Sequence, residues 1–221
     1  PFLHIHRTEM TLMQRFLKRA FDIVFSLAGL ILLSPILLAT AAALKLAGNG
    51  SIFFRQKRAT INGNVFEIIK FRTMYEDDPQ RQADSLSARE GDDRITPIGR
   101  FLRKYRIDEL PQIWNIIKGD MSFIGPRPER MTFVKQLKEH IPYYSLRHTV
   151  KPGLTGWAQV HGRNLSSWEE RFAYDVDYVD HISFALDVKI IFMTIRCVFA
   201  PDAPDRRSRG CPASRAPKSP S

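Results

Sequence analysis

Ile23-Val-Phe-Ser-Leu-Ala-Gly-Leu-Ile-Leu-Leu-Ser-Pro-Ile-Leu-Leu-Ala-Thr-Ala-Ala-Ala-Leu44 carries no charge over 22 residues and is bounded by Asp22 and Lys45. As one straight helix it measures about 33 Å, enough for a hydrocarbon core of about 30 Å. A core helix in a protein of this size rarely needs so many apolar residues, so the run predicts membrane insertion. It is too long for a secretory signal, and no small-residue cleavage site follows it. Ser34-Pro35 falls at its middle. Pro35 lacks an N–H and crowds the carbonyl four residues back, which predicts a kink whose freed carbonyl the Ser34 hydroxyl can help satisfy. Each half would be about 15–18 Å long and reach only the bilayer midplane. Two geometries stay open: a re-entrant helix–break–helix and a Pro-kinked spanning helix. Cations lie on both flanks, with Arg15, Lys18 and Arg19 before the run and Lys45, Arg55, Lys57 and Arg58 after it. A spanning helix collects its basic excess on one side, so the flanks favour the re-entrant form.

The rest of the composition narrows the partners. The chain has 221 residues, 44% hydrophobic, and 33 Lys plus Arg against 23 acids, for a formal charge of +10. That excess calls for an anionic partner: phospholipid headgroups, a phosphorylated substrate or nucleic acid. Two cysteines, Cys197 and Cys211, make no disulfide framework. Among the six histidines only His4 and His6 are close, without the neighbours a zinc site requires. The start at Pro1 suggests a piece of a longer protein.

Along the chain, Asn62-Gly63 between Arg58 and the apolar Val65–Phe71 predicts a β-hairpin. Lys70 and Arg72 flank Phe71, so strand alternation puts both cations on one face, where they could grip phosphates or protect a strand edge. Residues 76–93 read as a flexible loop or short helix. Ile98 to Tyr105 predicts a helix with one apolar and one basic face, suited to anionic headgroups or to an ordinary surface. Residues 129–147 read as an amphipathic helix interrupted by Pro142, and Trp168 to Asp180 as a helix. Leu186 to Phe199 is a helix too charged to span, and Pro201 to Ser221 has the composition of a disordered tail.

Arg106-Ile-Asp-Glu-Leu-Pro-Gln112 is the stretch with chemistry in it. Two adjacent carboxylates, Asp108 and Glu109, follow a basic run (Arg100, Arg103, Lys104, Arg106) and precede Pro111, a residue at home in a helix's first turn. An acidic pair among cations suits Mg²⁺-assisted chemistry on phosphate; taken alone, it also suits a helix cap with a surface ion pair. Further on, the prolines of Gly125-Pro-Arg-Pro128 hold Arg127 in a restricted loop, preorganised for a phosphate.

The ordered set of motifs resembles one family. The Ser34-Pro35 run is followed by Phe54-Arg-Gln56, Lys70-Phe-Arg-Thr-Met74, Asp93-Arg-Ile-Thr96, Gly99-Arg-Phe-Leu-Arg103 and Ile107-Asp-Glu-Leu-Pro-Gln112. Then come Lys118-Gly-Asp-Met-Ser122, Gly125-Pro-Arg-Pro128 and Lys151-Pro-Gly-Leu-Thr-Gly-Trp-Ala-Gln159. Over about residues 15–199 the chain resembles the bacterial sugar transferases, monotopic polyprenyl-phosphate phosphoglycosyl transferases. The resemblance implies an enzyme of the bacterial inner membrane's cytoplasmic face. It would move a phosphosugar from a UDP-sugar to undecaprenyl phosphate, release UMP, and so begin a surface glycan or exopolysaccharide. It implies Asp108 as covalent nucleophile with Glu109 in support, both as ligands of a required Mg²⁺. Lys70, Arg72, Arg103 and Arg127 are the candidate phosphate-binding cations. Membrane lipids and a second copy of the chain are expected partners, and nucleic acid is not.

The expected fold is mainly α with a small β element (α+β). It places an N-terminal segment at 1–14, a re-entrant anchor at 15–47, a catalytic domain with interfacial helices at 48–199 and a basic tail at 200–221. Two other functions compete. A non-catalytic, membrane-anchored basic protein would bind anionic lipid or nucleic acid. A transferase attacking the anomeric carbon would release UDP.

Overall fold

The computed structural model describes residues 10–48, 50–75, 94–161 and 167–199. The polar stretch 76–93 and the tail from 200 lie outside the described residues. Thr11 opens the longest element. Its hydroxyl accepts the Gln14 N–H while the Gln14 carboxamide accepts the Thr11 N–H. That reciprocal cap starts helix α1, Leu12–Leu46. The Thr11-Leu-Met-Gln14 spacing signals this start, three residues before the expected anchor boundary.

α1 runs through Pro35 as one continuous helix, where two half-helices separated by a break were expected. The reason is local. Pro35 deprives the Ile31 carbonyl of its usual donor, and the Ser34 hydroxyl donates to that carbonyl at 2.8 Å. Only 11% of the most apolar window of α1 is buried, too little for the core helix of a soluble domain; by length and composition the helix can cross a membrane.

One face of α1 is bolted to the rest of the chain by its charged residues. Lys18 Nζ donates to Asp187 at 2.5 Å and to the Tyr178 hydroxyl at 3.0 Å. Arg19 donates to the Ile116 and Ile117 carbonyls at 2.6 and 2.7 Å, at the end of a short helix, α3 (Ile113–Lys118), where the Ile116 carbonyl also accepts the Gly119 N–H. Buried Asp22 accepts from the Ser122 hydroxyl and the Phe123 N–H, both at 3.0 Å. Further along, Gly29 lies against Ile113, and Leu44 is buried with Phe71 and Leu102.

The hairpin forms where Asn62-Gly63 predicts it. β1 (Phe53–Ala59) and β2 (Val65–Phe71) pair antiparallel from Phe53↔Phe71 to Ala59↔Val65. Asn62 and Gly63 both take positive φ in the turn between them. Phe66 and Ile68, two apart on β2, enter one cluster with Ile116 and Met121. Helix α2 (Pro97–Lys104) is capped by the Thr96 hydroxyl on the Gly99 N–H. β3 (Ser122–Ile124), α4 (Met131–His140), β4 (Gly153–Thr155), α5 (Trp157–His161), α6 (Trp168–Asp180) and α7 (Phe184–Phe199) complete the described elements. The helix expected over 129–147 ends at His140, and a 3₁₀ turn over Tyr144–His148 follows Pro142. The fold is thus mostly helical with two small sheets, in line with the α+β expectation.

β3 and β4 pair in parallel, Ser122↔Gly153 and Ile124↔Thr155, and glycine permits their approach. The Gly125 N–H donates to the Thr155 carbonyl and the Gly153 N–H to the Pro126 carbonyl, at 3.0 and 2.9 Å. A Cβ on Gly125 would stand 2.3 Å from the Lys151 carbonyl oxygen, and one on Gly156 2.1 Å from the Gly125 oxygen. Backbone cannot yield there without parting the strands. Gly125→Ala is therefore expected to cost at least about 1–3 kcal/mol, read as a fall in Tm. Gly48→Ala, whose Cβ would meet nothing within 4 Å, serves as the neutral control.

Candidate active site

A 3₁₀ turn, Ile107–Gln112, carries the acidic pair into α3. Arg106, just before it, is held at φ 58°, a left-handed conformation that costs a non-glycine residue about 1–2 kcal/mol. The turn packs against β2, whose last residues bring Lys70 beside it. Lys70 Nζ donates to Glu109 Oε1 at 2.7 Å, and Arg127 Nη2 donates to the same oxygen at 3.1 Å. Arg106 lies 3.7 Å from Oε2. Glu109 is thus the hub of three cations from three segments. Its burial opposes ionisation, but Arg127 and Lys70 outweigh burial and hold its pKa down to about 2.

Asp108 is its opposite. The residue is 8% exposed, and its Oδ1 has no hydrogen-bond partner among the described residues. Burial pushes its pKa above the ordinary value, Lys70 pulls it down, and the Glu109 charge pushes it up again. The two neighbouring carboxylates are driven apart, Asp108 above and Glu109 below the ordinary carboxyl range. Glu109 gathers and orients cations; Asp108 keeps an uncommitted oxygen in a desolvated place. Arg103 also acts on Asp108 electrostatically, while its Nε donates to the Thr73 hydroxyl at 2.8 Å.

Of the sequence-predicted residues, Asp108, Glu109, Lys70, Arg103 and Arg127 come together. Of these only Glu109 and Arg127 border a common cavity; Asp108, Lys70 and Arg103, like Arg72, do not line it. β2 ends at Phe71, so the alternation that would put Arg72 beside Lys70 stops one residue short. Arg72 instead lines a recess with Leu44, Thr96 and Ile98. Ser34 and Pro35 lie on the apolar part of α1.

Three residues unmarked by any motif hold the site's frame. Arg147 Nη2 donates to the Arg127 carbonyl at 2.8 Å and pairs with Asp175 at 2.7 Å, both side chains being about 5% exposed. Arg58 donates to the Pro128 carbonyl at 3.0 Å. The Gly-Pro-Arg-Pro loop is therefore gripped on two consecutive carbonyls, by the half-buried Arg58 from β1 and the buried Arg147 from the turn after α4. Glu109 and Arg127 border a cavity of about 640 Å³ that also touches Phe21, Phe25, Phe172 and Ile191. Its walls are mostly apolar, and two of those residues belong to α1.

Among the described residues no three His, Cys, Asp or Glu are grouped to cage a metal. Mg²⁺ needs no such cage, since it takes one or two carboxylates and completes its shell with water and substrate phosphates. The unpartnered Asp108 oxygen beside Glu109 fits that demand. It offers a hard oxygen donor in a site that otherwise supplies cations.

The class that the fold and site define is a mostly helical protein with an acidic pair ringed by cations and a first helix long and apolar enough to cross a membrane. Comparison with known sequences gives the family. Residues 13–201 match the bacterial sugar transferase family, and the chain belongs to it. It is 42% identical over 203 residues to the UDP-N-acetylgalactosamine-undecaprenyl-phosphate N-acetylgalactosaminephosphotransferase of Aeromonas hydrophila, covering 88% of this chain and 48% of that protein. It is 38% identical over 200 residues to the UDP-glucose:undecaprenyl-phosphate glucose-1-phosphate transferase of Escherichia coli K12, covering 88% and 43%. The chain thus spans less than half the length of these two relatives. Against the uncharacterized sugar transferase EpsL of Bacillus subtilis it is 44% identical over 187 residues, 82% of this chain and 87% of that one.

Proposed function

We propose that this chain transfers a sugar 1-phosphate from a UDP-sugar to undecaprenyl phosphate at the cytoplasmic face of the bacterial inner membrane. The observation that carries the reading is the buried Asp108 carboxylate, which keeps one oxygen free next to a Glu109 that is clamped by cations and itself borders a cavity walled partly by α1. The relatives' names supply the substrate class.

In the first step an Asp108 carboxylate oxygen attacks the sugar-bearing phosphorus of the donor. The bond from that phosphorus to the UMP oxygen breaks, and UMP leaves with the electron pair. In the second step a phosphate oxygen of the lipid acceptor attacks the aspartyl-phosphosugar at phosphorus. The Asp108 carboxylate departs, and polyprenyl-diphosphate-sugar remains. Arg127 and Lys70, preset by Glu109, face the charge on the phosphoryl oxygens without reorganising during the reaction, and Arg103 adds to that field. Asp108 and Glu109 are where Mg²⁺ would be held, and its chemistry there is to neutralise the diphosphate.

Placement of both ends of α1 on one side of the membrane, without the expected break, gains support from its packing. Asp22 near its start, Gly29 in its middle and Leu44 at its end all rest on the same body of the chain. A helix crossing the bilayer could not keep both ends on one soluble domain. Ile31, Leu32 and Leu38, each more than 70% exposed, are left for lipid.

The test is product analysis. The protein in lipid nanodiscs with Mg²⁺, undecaprenyl phosphate and a panel of UDP-sugars should release UMP in step with lipid-linked sugar. Release of UDP would mean attack at the anomeric carbon, and the proposal would fall.

A further inference from the structure

Gln159 is the one glutamine of the Lys151–Gln159 motif, and the residue lines the cavity that Glu109 and Arg127 border. Both its Nε2 and its Oε1 are buried without a hydrogen-bond partner among the described residues. A buried polar group left unpaired is costly, and here a donor and an acceptor on one side chain are both left so. The neighbouring hydroxyls do not relieve it: Thr155 and Thr194 bond to one another, and Thr194 donates onward to the Ile190 carbonyl. The Gln159 Oε1 is tucked against Gly156, 2.5 Å from where a Cβ there would be.

The neighbouring helix adds a second observation. Trp168, Arg171, Phe172 and Asp175 line the same cavity from α6, at the i, i+3, i+4, i+7 spacing of one helix face. The Arg171 guanidinium lies over the Trp168 ring, 5.2 Å from its centroid. Planar aromatic and guanidinium surfaces are what nucleobases stack on, and a carboxamide's paired donor and acceptor match a base edge that offers one of each. The imide edge of a uracil, with an N3–H beside a C4 carbonyl, is such an edge.

We infer that Gln159 is a specificity-determining residue that reads the imide edge of the donor's uracil, accepting from N3–H at Oε1 and donating from Nε2 to O4. This rests on the proposed function, since it takes the uridine nucleotide from that reading. The phosphates then lie toward Arg127 and the base toward α5 and α6. One cavity thereby holds both ends of the leaving nucleotide.

The test is equilibrium binding of three probes to the full chain in nanodiscs, by calorimetry without acceptor lipid. UMP carries the whole edge, 3-methyl-UMP has its N3–H replaced by a methyl group, and ribose 5-phosphate has no base. The protein is expected to prefer UMP to 3-methyl-UMP by about 10- to 100-fold, the scale of one or two lost hydrogen bonds in a buried site. Gln159→Leu should bring that ratio close to one and leave the affinity for ribose 5-phosphate unchanged. A variant that keeps the ratio overturns the inference. So does equal binding of UMP and 3-methyl-UMP by the unaltered protein, a result that needs no variant to fold. If the unaltered protein binds ribose 5-phosphate but gains nothing from the base, the inference falls while phosphate chemistry stands. If it binds none of the three, the functional reading falls and takes the inference with it.

Discussion

Asp108→Asn should abolish the phosphosugar-enzyme adduct and lower turnover by at least about 10³-fold, the scale of loss when a covalent nucleophile is removed. The carboxamide is nearly the same size and keeps one oxygen, so the turn from Ile107 to Gln112 should hold its shape. What it lacks is the charge. Rapid acid quench with a donor radiolabelled in the sugar is the measurement: label on the unaltered polypeptide and none on the variant. Glu109→Gln should behave differently. It keeps the nucleophile but releases Lys70 and Arg127 from their common anchor, so label should still be trapped while turnover slows. An Asp108→Asn protein that turns over at the unaltered rate would falsify the nucleophile assignment.

Arg147→Met should be the most destabilising of the changes proposed. It leaves Asp175 buried without its partner, a loss of about 3–5 kcal/mol, which in a chain of this size lowers Tm by about 6–20 °C. The effect carries a sign in pH. Burial already raises the Asp175 pKa to about 6 despite Arg147, and removing the arginine raises it further. A carboxyl with a folded pKa above its unfolded one contributes stability below the unfolded value and loses it as pH rises through the folded value. In the unaltered protein that loss is complete a little above pH 6. In the variant it continues upward, so the Tm deficit should widen between pH 6 and pH 8. Arg147→Met with Asp175→Leu should recover most of the Tm. It should not recover the rate, because the donor to the Arg127 carbonyl is still missing. Thermal melts beside turnover for the three proteins separate the two roles of one guanidinium.

What could be read from the residues alone was whatever depends on neighbours in sequence. Asn62-Gly63 specifies a turn by its own backbone preferences, and the hairpin is there. The Trp168–Asp180 segment has a helical pattern and is a helix between those residues. Asp108 and Glu109 stand out because two acids follow a basic run. Arg147 and Asp175, 28 positions apart, carry no local sign of their pairing, and Arg58 looks like any other cation of a charged strand. β3 and β4 are three residues each, too short for alternation to register. The Arg72 expectation shows the same boundary: alternation is a sound rule inside a strand, and nothing local says that β2 ends at Phe71. The continuity of α1 through Pro35 depends on one hydroxyl finding one carbonyl. The sequence names both groups, while the extent of the resulting bend depends on the packing around them.

The bolts between α1 and its body have a mechanical consequence. With Lys18, Arg19 and Asp22 fastened at one end and Leu44 at the other, the helix has no tilt of its own to adjust. On the proposed membrane placement, a thinner or thicker bilayer would raise, lower or roll the entire molecule, and the height of Asp108 above the headgroups would change with it. That depth would then become part of how the proposed transferase meets a long-tailed acceptor.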